Sequence, residues 1–257
     1  MHKKAVFITG AAAGIGRAIA TIFAHNDWYV GAADIDEVGL KTLQASLGKD
    51  QCFTCRLDVT SEDDWAGALE RFTQSAGRLD TLVNNAGILA SGNFTDIPLA
   101  KQHAIIDINV KAVMTGCYQA FPYLKEQPGA CVVNLASASA IYGQPSLATY
   151  SASKFAVKGL TEALNLEWED YGIRVLDVLP LFVQTAMVTD MDARSIQRLG
   201  VHLTADDVAR KIFSAASHRH SPAKVHWTVG WMTALMYTAA NLSPDFINRW
   251  VNRRISR

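Results

Sequence analysis

The sequence carries no net charge: 24 Lys and Arg balance 24 Asp and Glu. Without a positive field to gather phosphates, binding to nucleic acid is not expected. It is also poor in cysteine, with Cys52, Cys55, Cys117 and Cys131 alone. One C-x-x-C is present, but no second pair and no spaced histidines complete a zinc site, so no metal is expected. Cys52 and Cys55 fall in a strand-like run, where residues three apart face opposite ways and their sulfurs diverge. They read as ordinary reduced thiols. No Pro/Gly linker, low-complexity tract or internal repeat divides the 257 residues, which argues for one domain over 1–257. The opening MHKKAVFITG has too short an apolar run for a signal peptide. It reads as the first strand of a cytoplasmic protein.

What is present is a regular alternation. The chain is 49% hydrophobic, enough for one large α/β core. Apolar, β-rich runs at Ala5–Thr9, Tyr29–Asp34, Cys52–Asp58, Thr81–Asn84, Ala130–Leu135, Arg174–Leu179 and Val225–Val229 predict seven strands. Helical patterns lie between them; in Ile15–Phe23, for example, Ile15, Ile19, Ile22 and Phe23 share one face. Near-continuous apolar strands separated by helices imply a doubly wound parallel sheet covered on both sides.

Directly after the first predicted strand comes Thr9-Gly10-Ala11-Ala12-Ala13-Gly14-Ile15-Gly16, opening a helix. Glycines there allow a tight turn and let backbone approach a pyrophosphate, which meets the amides of the helix N-terminus. Arg17-Ala18 follows Gly16 where a triphosphatase loop needs Lys-Ser/Thr, so that alternative is disfavoured. The second strand ends on Asp34, an acceptor suited to the adenosine ribose hydroxyls and repulsive to a 2′-phosphate. Ala13, Ile35 and Asp36 supply no positive charge for such a phosphate. NAD is therefore the expected cofactor.

A third cluster, Tyr150-Ser151-Ala152-Ser153-Lys154, enters a long helical stretch reaching about Asp170. Tyr150 and Lys154 are i and i+4, neighbours on one face. An adjacent ammonium favours the phenolate of a group that is otherwise a poor base near neutrality. Such a tyrosine can take a proton from an alcohol, or return it to a carbonyl, as hydride moves. On its own, a Tyr–Lys pair at this spacing is more often a solvated helix face.

Taken together, these motifs resemble the short-chain dehydrogenase/reductase family in its classical form, over roughly residues 3–185. The family's Gly-rich turn matches Gly10, Gly14 and Gly16, with Ala13 and Ile15 between them. Its acidic residue near the adenine matches Asp58, followed by Val59. Its Asn-Asn-Ala-Gly element is Asn84-Asn85-Ala86-Gly87, its helix asparagine Asn109, and its Tyr-x-x-x-Lys Tyr150 and Lys154. Its serine, thirteen residues before the tyrosine, falls on Ser137. The resemblance implies a Rossmann-type fold and cofactor contacts from Gly10, Ala13, Gly14, Ile15, Gly16, Asp34, Asp58, Val59, Asn85, Ala86, Gly87, Tyr150, Lys154, Val183 and Thr185. It implies that Ser137 holds the substrate oxygen by Tyr150 and that Lys154 binds the nicotinamide ribose and lowers the phenol pKa. Asn109 would kink its helix and hold a water linking Lys154 to solvent. Ser139, on the same side of a strand-like path as Ser137, is assigned to substrate contact or packing.

The chain departs from the family where Pro180-Leu181 replaces the common Pro-Gly; Leu181 adds bulk beside the cofactor and removes backbone freedom. A loop and helix at about 181–203 should cover the substrate. It mixes Met187, Val188, Met191 and Leu199 with Asp190, Asp192, Arg194 and Arg198, a pattern that favours a fairly apolar alcohol or carbonyl. A catalytically silent NAD-binding regulator is the alternative, but such a sensor needs no Ser137, Tyr150, Lys154 and Asn109. The resemblance also implies a homo-oligomer, tetramer or dimer, pairing through helices at about Leu99–Gln127 and Ala152–Asp170. Ile105, Val113, Phe155, Val157 and Trp168 there exceed one buried stripe. The extension at about 231–257 combines Trp231, Leu235 and Trp250 with four arginines. It reads as a cover for the pocket or an interface, with contact to anionic lipid as the alternative.

Overall fold

A computed structural model describes residues 3–185, 200–218 and 224–256. Seven strands, β1 Ala5–Thr9, β2 Tyr29–Asp34, β3 Cys52–Arg56, β4 Thr81–Asn84, β5 Cys131–Leu135, β6 Arg174–Leu179 and β7 His226–Thr228, form one sheet. All pair in parallel, in the order β3-β2-β1-β4-β5-β6-β7. The chain therefore winds outward twice, and the order reverses between β1 and β4. In such sheets a crevice opens beyond the strand ends at that reversal.

Side chains along β1 alternate between two cores. Val6 and Ile8 pack with Ile19 and Phe23 of α1 (Gly14–His25), and with Val208 and Ile212 of α7 (Ala205–Ser217). Ala5 and Phe7 join Trp65 and Phe72 of α3 (Glu62–Ala76) on the other face. There too lie Val113 of α5 (Ala112–Leu124) and Val157 of α6 (Ala148–Glu167). Cys52 belongs to the first core and Cys55 to the second, as their spacing implies. Gly31 of β2 is required by packing, since a Cβ would lie 2.6 Å from the Phe72 ring. Helix starts follow side-chain caps: Asp36 accepts from Val38 and Gly39 N–H ahead of α2 (Glu37–Leu47), and Ser61 accepts from Asp64 N–H ahead of α3.

Two sequence expectations are corrected. The third strand stops at Arg56, so Asp58 lies in the loop beyond it; Leu57 N–H makes its last link to the Asp34 carbonyl. Ile105, Val113, Val157 and Trp168 do not mark an unsatisfied second stripe, because all four are buried within the chain itself. Only Phe155 of that set is exposed, alongside Met114, Tyr118 and Leu166. The run from Val225 splits into β7 and two helices, α8 (Trp231–Leu242) and α9 (Asp245–Ser256), separated at Ser243-Pro244. Ser243 is extended, as the residue before proline prefers. Among the described residues no helix is long and apolar enough to cross a membrane. Most of the expected substrate loop, including Met187, Val188, Asp190, Met191, Asp192, Arg194, Arg198 and Leu199, lies outside the described residues.

Candidate active site

One cavity of about 430 Å³ runs across the sheet at the strand reversal, and every site residue expected from the sequence lines it except Asn109. At one end the turn after β1 carries Gly10 and Gly14, both at positive φ (66° and 52°). A side chain at either would be strained, and a Cβ at Gly10 would also come within 2.9 Å of the Ala86 Cα. A Cβ at Gly16 would run into the Gly10 carbonyl. Helix α1 starts at Gly14 with no side-chain cap. Its first-turn residues line the cavity, so the unpaired N–H groups of a helix N-terminus are available to an anion.

The walls around that turn are fixed by hydrogen bonds. Thr9 Oγ1, which sequence reading passed over, accepts from Asn85 N–H and Ala86 N–H, each at 3.1 Å. Asn85 Nδ2 donates to the Thr9 and Gly10 carbonyls at 2.8 and 3.0 Å. Asp34 is held by Ala12 N–H at Oδ2 and by Asp36 N–H at Oδ1, both at 3.0 Å. Arg17 was also missed: its guanidinium donates to the Ala12 carbonyl at 3.4 Å and Thr42 Oγ1 at 3.0 Å. A basic group is thus tied to the same turn as Asp34, although Ile35 and Asp36 supply none. Asp58 accepts from the Thr60 N–H and hydroxyl, which hold its carboxyl below the usual range. Its own N–H donates to Asp64 Oδ2 at 3.0 Å.

At the other end, Tyr150 and Lys154 face the cavity from the first turns of α6, and Ser137 from the end of β5. The Ser137 hydroxyl lies beside the Tyr150 phenol. Lys154 is 5% exposed, with Nζ donating to the Leu135 carbonyl at 2.7 Å and lying 5.6 Å from the Tyr150 ring centre. The expected lowering of the phenol by Lys154 is not found. Burial pushes Tyr150 up to about 12, opposed in part by the Ser137 hydroxyl, and burial draws Lys154 down to about 8. Both shifts follow from removing charge from water, and the ammonium is directed at a carbonyl rather than at the phenol oxygen.

Asn109 sits behind this end, wholly buried in a π-helical turn, Asp107–Lys111, between α4 (Leu99–Ile106) and α5. Such a widening is a feature often found at functional sites. Its amide accepts from Ile88 N–H at 2.9 Å and donates to the Ile88 carbonyl at 2.9 Å and to Ser153 Oγ at 3.1 Å. Ser153 Oγ in turn donates to the Tyr150 carbonyl at 2.6 Å. Asn109 therefore cross-links the Asn-Asn-Ala-Gly segment to α6. Ser139 is not on a strand-like path: it lies in a one-turn 3₁₀ helix, Ala138–Ala140, with its N–H donating to Ser137 Oγ at 3.1 Å. It still lines the cavity.

Leu181 sits on the cavity wall without positive φ, so it replaces glycine there without backbone strain. Val183 bridges to Leu203, and Gln184 N–H donates to the Leu203 carbonyl at 2.8 Å, which fixes Thr185 near Gly14. Among the described residues no cluster of ligating side chains could hold a metal.

Comparison with known proteins accords with this geometry. The chain matches the short chain dehydrogenase family over residues 4–195. It is 33% identical over 231 residues to a 3-oxoacyl-[acyl-carrier-protein] reductase of Thermotoga maritima, an alignment covering 86% of this chain and 93% of that one. It is 35% identical over 190 residues to a 3-beta-hydroxysteroid dehydrogenase of Comamonas testosteroni, covering 73% and 74%. A crystal structure of a 3-ketoacyl-(acyl-carrier-protein) reductase from Brucella melitensis complexed with NADH superposes with a TM-score of 0.82 at 29% identity. That match covers 89% of this chain and 97% of the other. The chain belongs to the short-chain dehydrogenase family. It is an oxidoreductase of that family.

Proposed function

We propose that the protein is a cytoplasmic NAD(H)-dependent enzyme interconverting an alcohol and its carbonyl on a fairly apolar substrate. The carrying observation is one cavity with Asp34 and an uncapped helix N-terminus at one end and Ser137, Tyr150 and Lys154 at the other. The residues fit a dinucleotide: the α1 amides would face its pyrophosphate, and Asp34 the adenosine ribose. Asn85, Ala86, Gly87, Val183 and Thr185 would line the nicotinamide half. When bound, the nicotinamide supplies or accepts the hydride.

The chain's own groups manage the proton. In reduction, the Ser137 hydroxyl holds the carbonyl oxygen and Tyr150 donates its phenolic proton to it. In oxidation the same oxygen loses its proton to a deprotonated Tyr150. Lys154 lies against the ring and would also bind the nicotinamide ribose, while Asn109 acts through Ser153 to position the helix. With its phenol pushed up to about 12 by burial, Tyr150 is a proton donor near neutrality, which suits reduction. Leu89, Leu147, Leu181 and Phe182 line the cavity, and supply an apolar wall for the substrate. The reductase and steroid dehydrogenase named among the relatives support the same substrate character.

The test follows NADH absorbance against secondary ketones, sterol ketones and long-chain aldehydes. Consumption of NADH with at least one is expected. Tight NADH binding with no turnover of any would support a silent regulator. The enzyme is further read as a homo-oligomer, tetramer or dimer, whose exposed Met114, Tyr118, Phe155 and Leu166 would be covered by another copy. A monomer by light scattering at micromolar concentration would overturn that.

A further inference from the structure

Six tryptophans are spread along the chain, and burial divides them. Trp28, Trp65, Trp168 and Trp227 are buried, whereas Trp231 and Trp250 are 75% and 59% exposed. Both exposed rings stand on the α8–α9 hairpin, which lies beyond the family match ending at residue 195. Leu235 and Leu242 of α8 and Phe246 of α9 are exposed there as well. Phe246 and Trp250 are i and i+4, so they stand together on one face of α9. At ~3.6 residues per turn, Arg249 and Arg253 flank that pair on one side and Arg254 on the other. All three arginines are exposed, and the Arg254 guanidinium lies 5.1 Å from the Trp250 ring centre.

The opposite face of α9 is already engaged. Asn248 Nδ2 donates to the Ala240 and Ser243 carbonyls at 3.1 and 3.2 Å, locking α9 against α8. Asn252 Nδ2 donates to the Gly143 carbonyl at 3.0 Å, fastening the hairpin to the body of the protein. With those ties made, the aromatic face of α9 is left to solvent. No described residue of α8 or α9 lines the catalytic cavity, so that face is not a cover for it. Residues 231–256 hold three arginines and one acid, Asp245, a local positive excess in a chain with no net charge.

We propose that the exposed face of α9, with Leu242 just ahead of it, seats the protein on an anionic lipid bilayer. The helix lies in the plane of the interface, with Phe246 and Trp250 entering the boundary between headgroups and acyl chains. The flanking arginines stay level with the lipid phosphates, their stems along the apolar layer and their guanidinium groups on the anions. Exposed aromatics alone would suit many partners, and the arginines beside them select a negative surface. A second copy docked on the same face by a two-fold axis would set arginine against arginine, with Asp245 the one acid of the hairpin to meet them. The face assigned above to another copy, around Met114 and Phe155, lies instead on α5 and α6.

Co-sedimentation of the full chain with vesicles containing phosphatidylglycerol, set against vesicles of phosphatidylcholine alone, tests the idea. Binding to the anionic vesicles is expected, and salt should weaken it. Each arginine lost should weaken binding about fivefold, the equivalent of ~1 kcal/mol, so Arg249→Gln with Arg253→Gln should cost at least tenfold. Phe246→Ser with Trp250→Ser should cost at least tenfold through lost apolar burial. These side chains are exposed, so both double variants should keep the wild-type melting temperature; if the serine pair does not, the glutamine pair decides. Lipids brominated on their acyl chains should quench the tryptophan fluorescence of the bound protein, and less so in Trp250→Phe. Absence of binding to anionic vesicles, or equal binding to both kinds untouched by either pair, overturns the proposal. So does a wild-type oligomer that binds neither vesicle and dissociates in the serine variant, which makes this face a contact between copies. None of these readouts uses cofactor or turnover, so their failure leaves the oxidoreductase reading standing.

Discussion

Lys154 lies one helical turn beyond Tyr150, its Nζ 5.6 Å from the phenol ring centre but 2.7 Å from the Leu135 carbonyl oxygen. The ammonium is thus anchored to the end of β5, and burial sets both groups: Tyr150 rises to about 12 and Lys154 falls to about 8. Oxidation needs the deprotonated phenol, whose fraction grows tenfold per pH unit below its pKa. Alcohol oxidation should therefore climb from pH 6 to about 8 and level off above it, as Lys154 loses its charge. Reduction needs the protonated phenol and should hold near neutrality. It should decline above about pH 8, where Lys154 loses its charge. A flat oxidation profile across this range argues against a tyrosine base. Tyr150→Phe should lower turnover by at least 10²-fold, within the range of general acid–base catalysis, with NADH affinity kept. A loss below about tenfold contradicts the assignment.

Asp34 sets the nucleotide preference in this reading, since its carboxylate is fixed by Ala12 and Asp36 N–H at the cavity wall. Asp34→Ala combined with Ile35→Arg removes the repulsion toward a 2′-phosphate and adds a partner for it. The preference for NADH over NADPH, measured as a ratio of kcat/KM, should fall at least tenfold. Arg17 is already tied to the same turn, so NADPH use should rise even with Asp34→Ala alone. Equal use of both nucleotides by the wild type would show that Asp34 does not discriminate.

The buried amide of Asn109 links three segments through Ile88 and Ser153. Asn109→Leu would leave the Ile88 N–H and carbonyl without partners, each costing ~1–3 kcal/mol. The melting temperature should drop by several degrees, with kcat lowered more than KM because Tyr150 loses its positioning tie. An unchanged melting temperature would mean that water or backbone shifts replace these bonds.

Much of this arrangement was legible in residue patterns, and the reasons differ by feature. The near-continuous apolar runs marked the strands because a parallel sheet buried on both faces tolerates little else. Gly10, Gly14 and Gly16 announced the turn because other residues meet strain or collision there. Tyr150 and Lys154 were readable because helical spacing alone puts them together. The spacing does not reveal where Lys154 aims its Nζ, which depends on the Leu135 carbonyl nineteen positions away. Nor does a helical stripe show how much of itself the parent fold consumes. Ile105, Val113, Val157 and Trp168 looked like surplus and proved to be core. Arg17 was passed over because its reach to Ala12 and Thr42 is set by how α1 and α2 pack.

A charged cluster lies away from the cavity. Asp177 on β6 is wholly buried, and both its oxygens lie 3.0 Å from Nδ1 of His226 on β7. The other ring nitrogen of His226 lies 3.0 Å from Glu162 on α6, which also meets Lys158 at 3.4 Å. Burial raises the Asp177 carboxyl, while the bond to His226 acts the other way. His226→Leu would strand a buried carboxylate without its donor, a change that costs about 3 kcal/mol when a buried pair is broken. For a chain of this size that lowers the melting temperature by roughly 6–12 °C. Replacing both partners, Asp177→Leu with His226→Leu, removes the desolvated charge as well and should recover most of the loss. Thermal unfolding of the two single variants and the double variant measures the coupling directly. Additive losses in the double variant would show that Asp177 and His226 contribute independently, and that the short contact does not stabilise the β6–β7 edge.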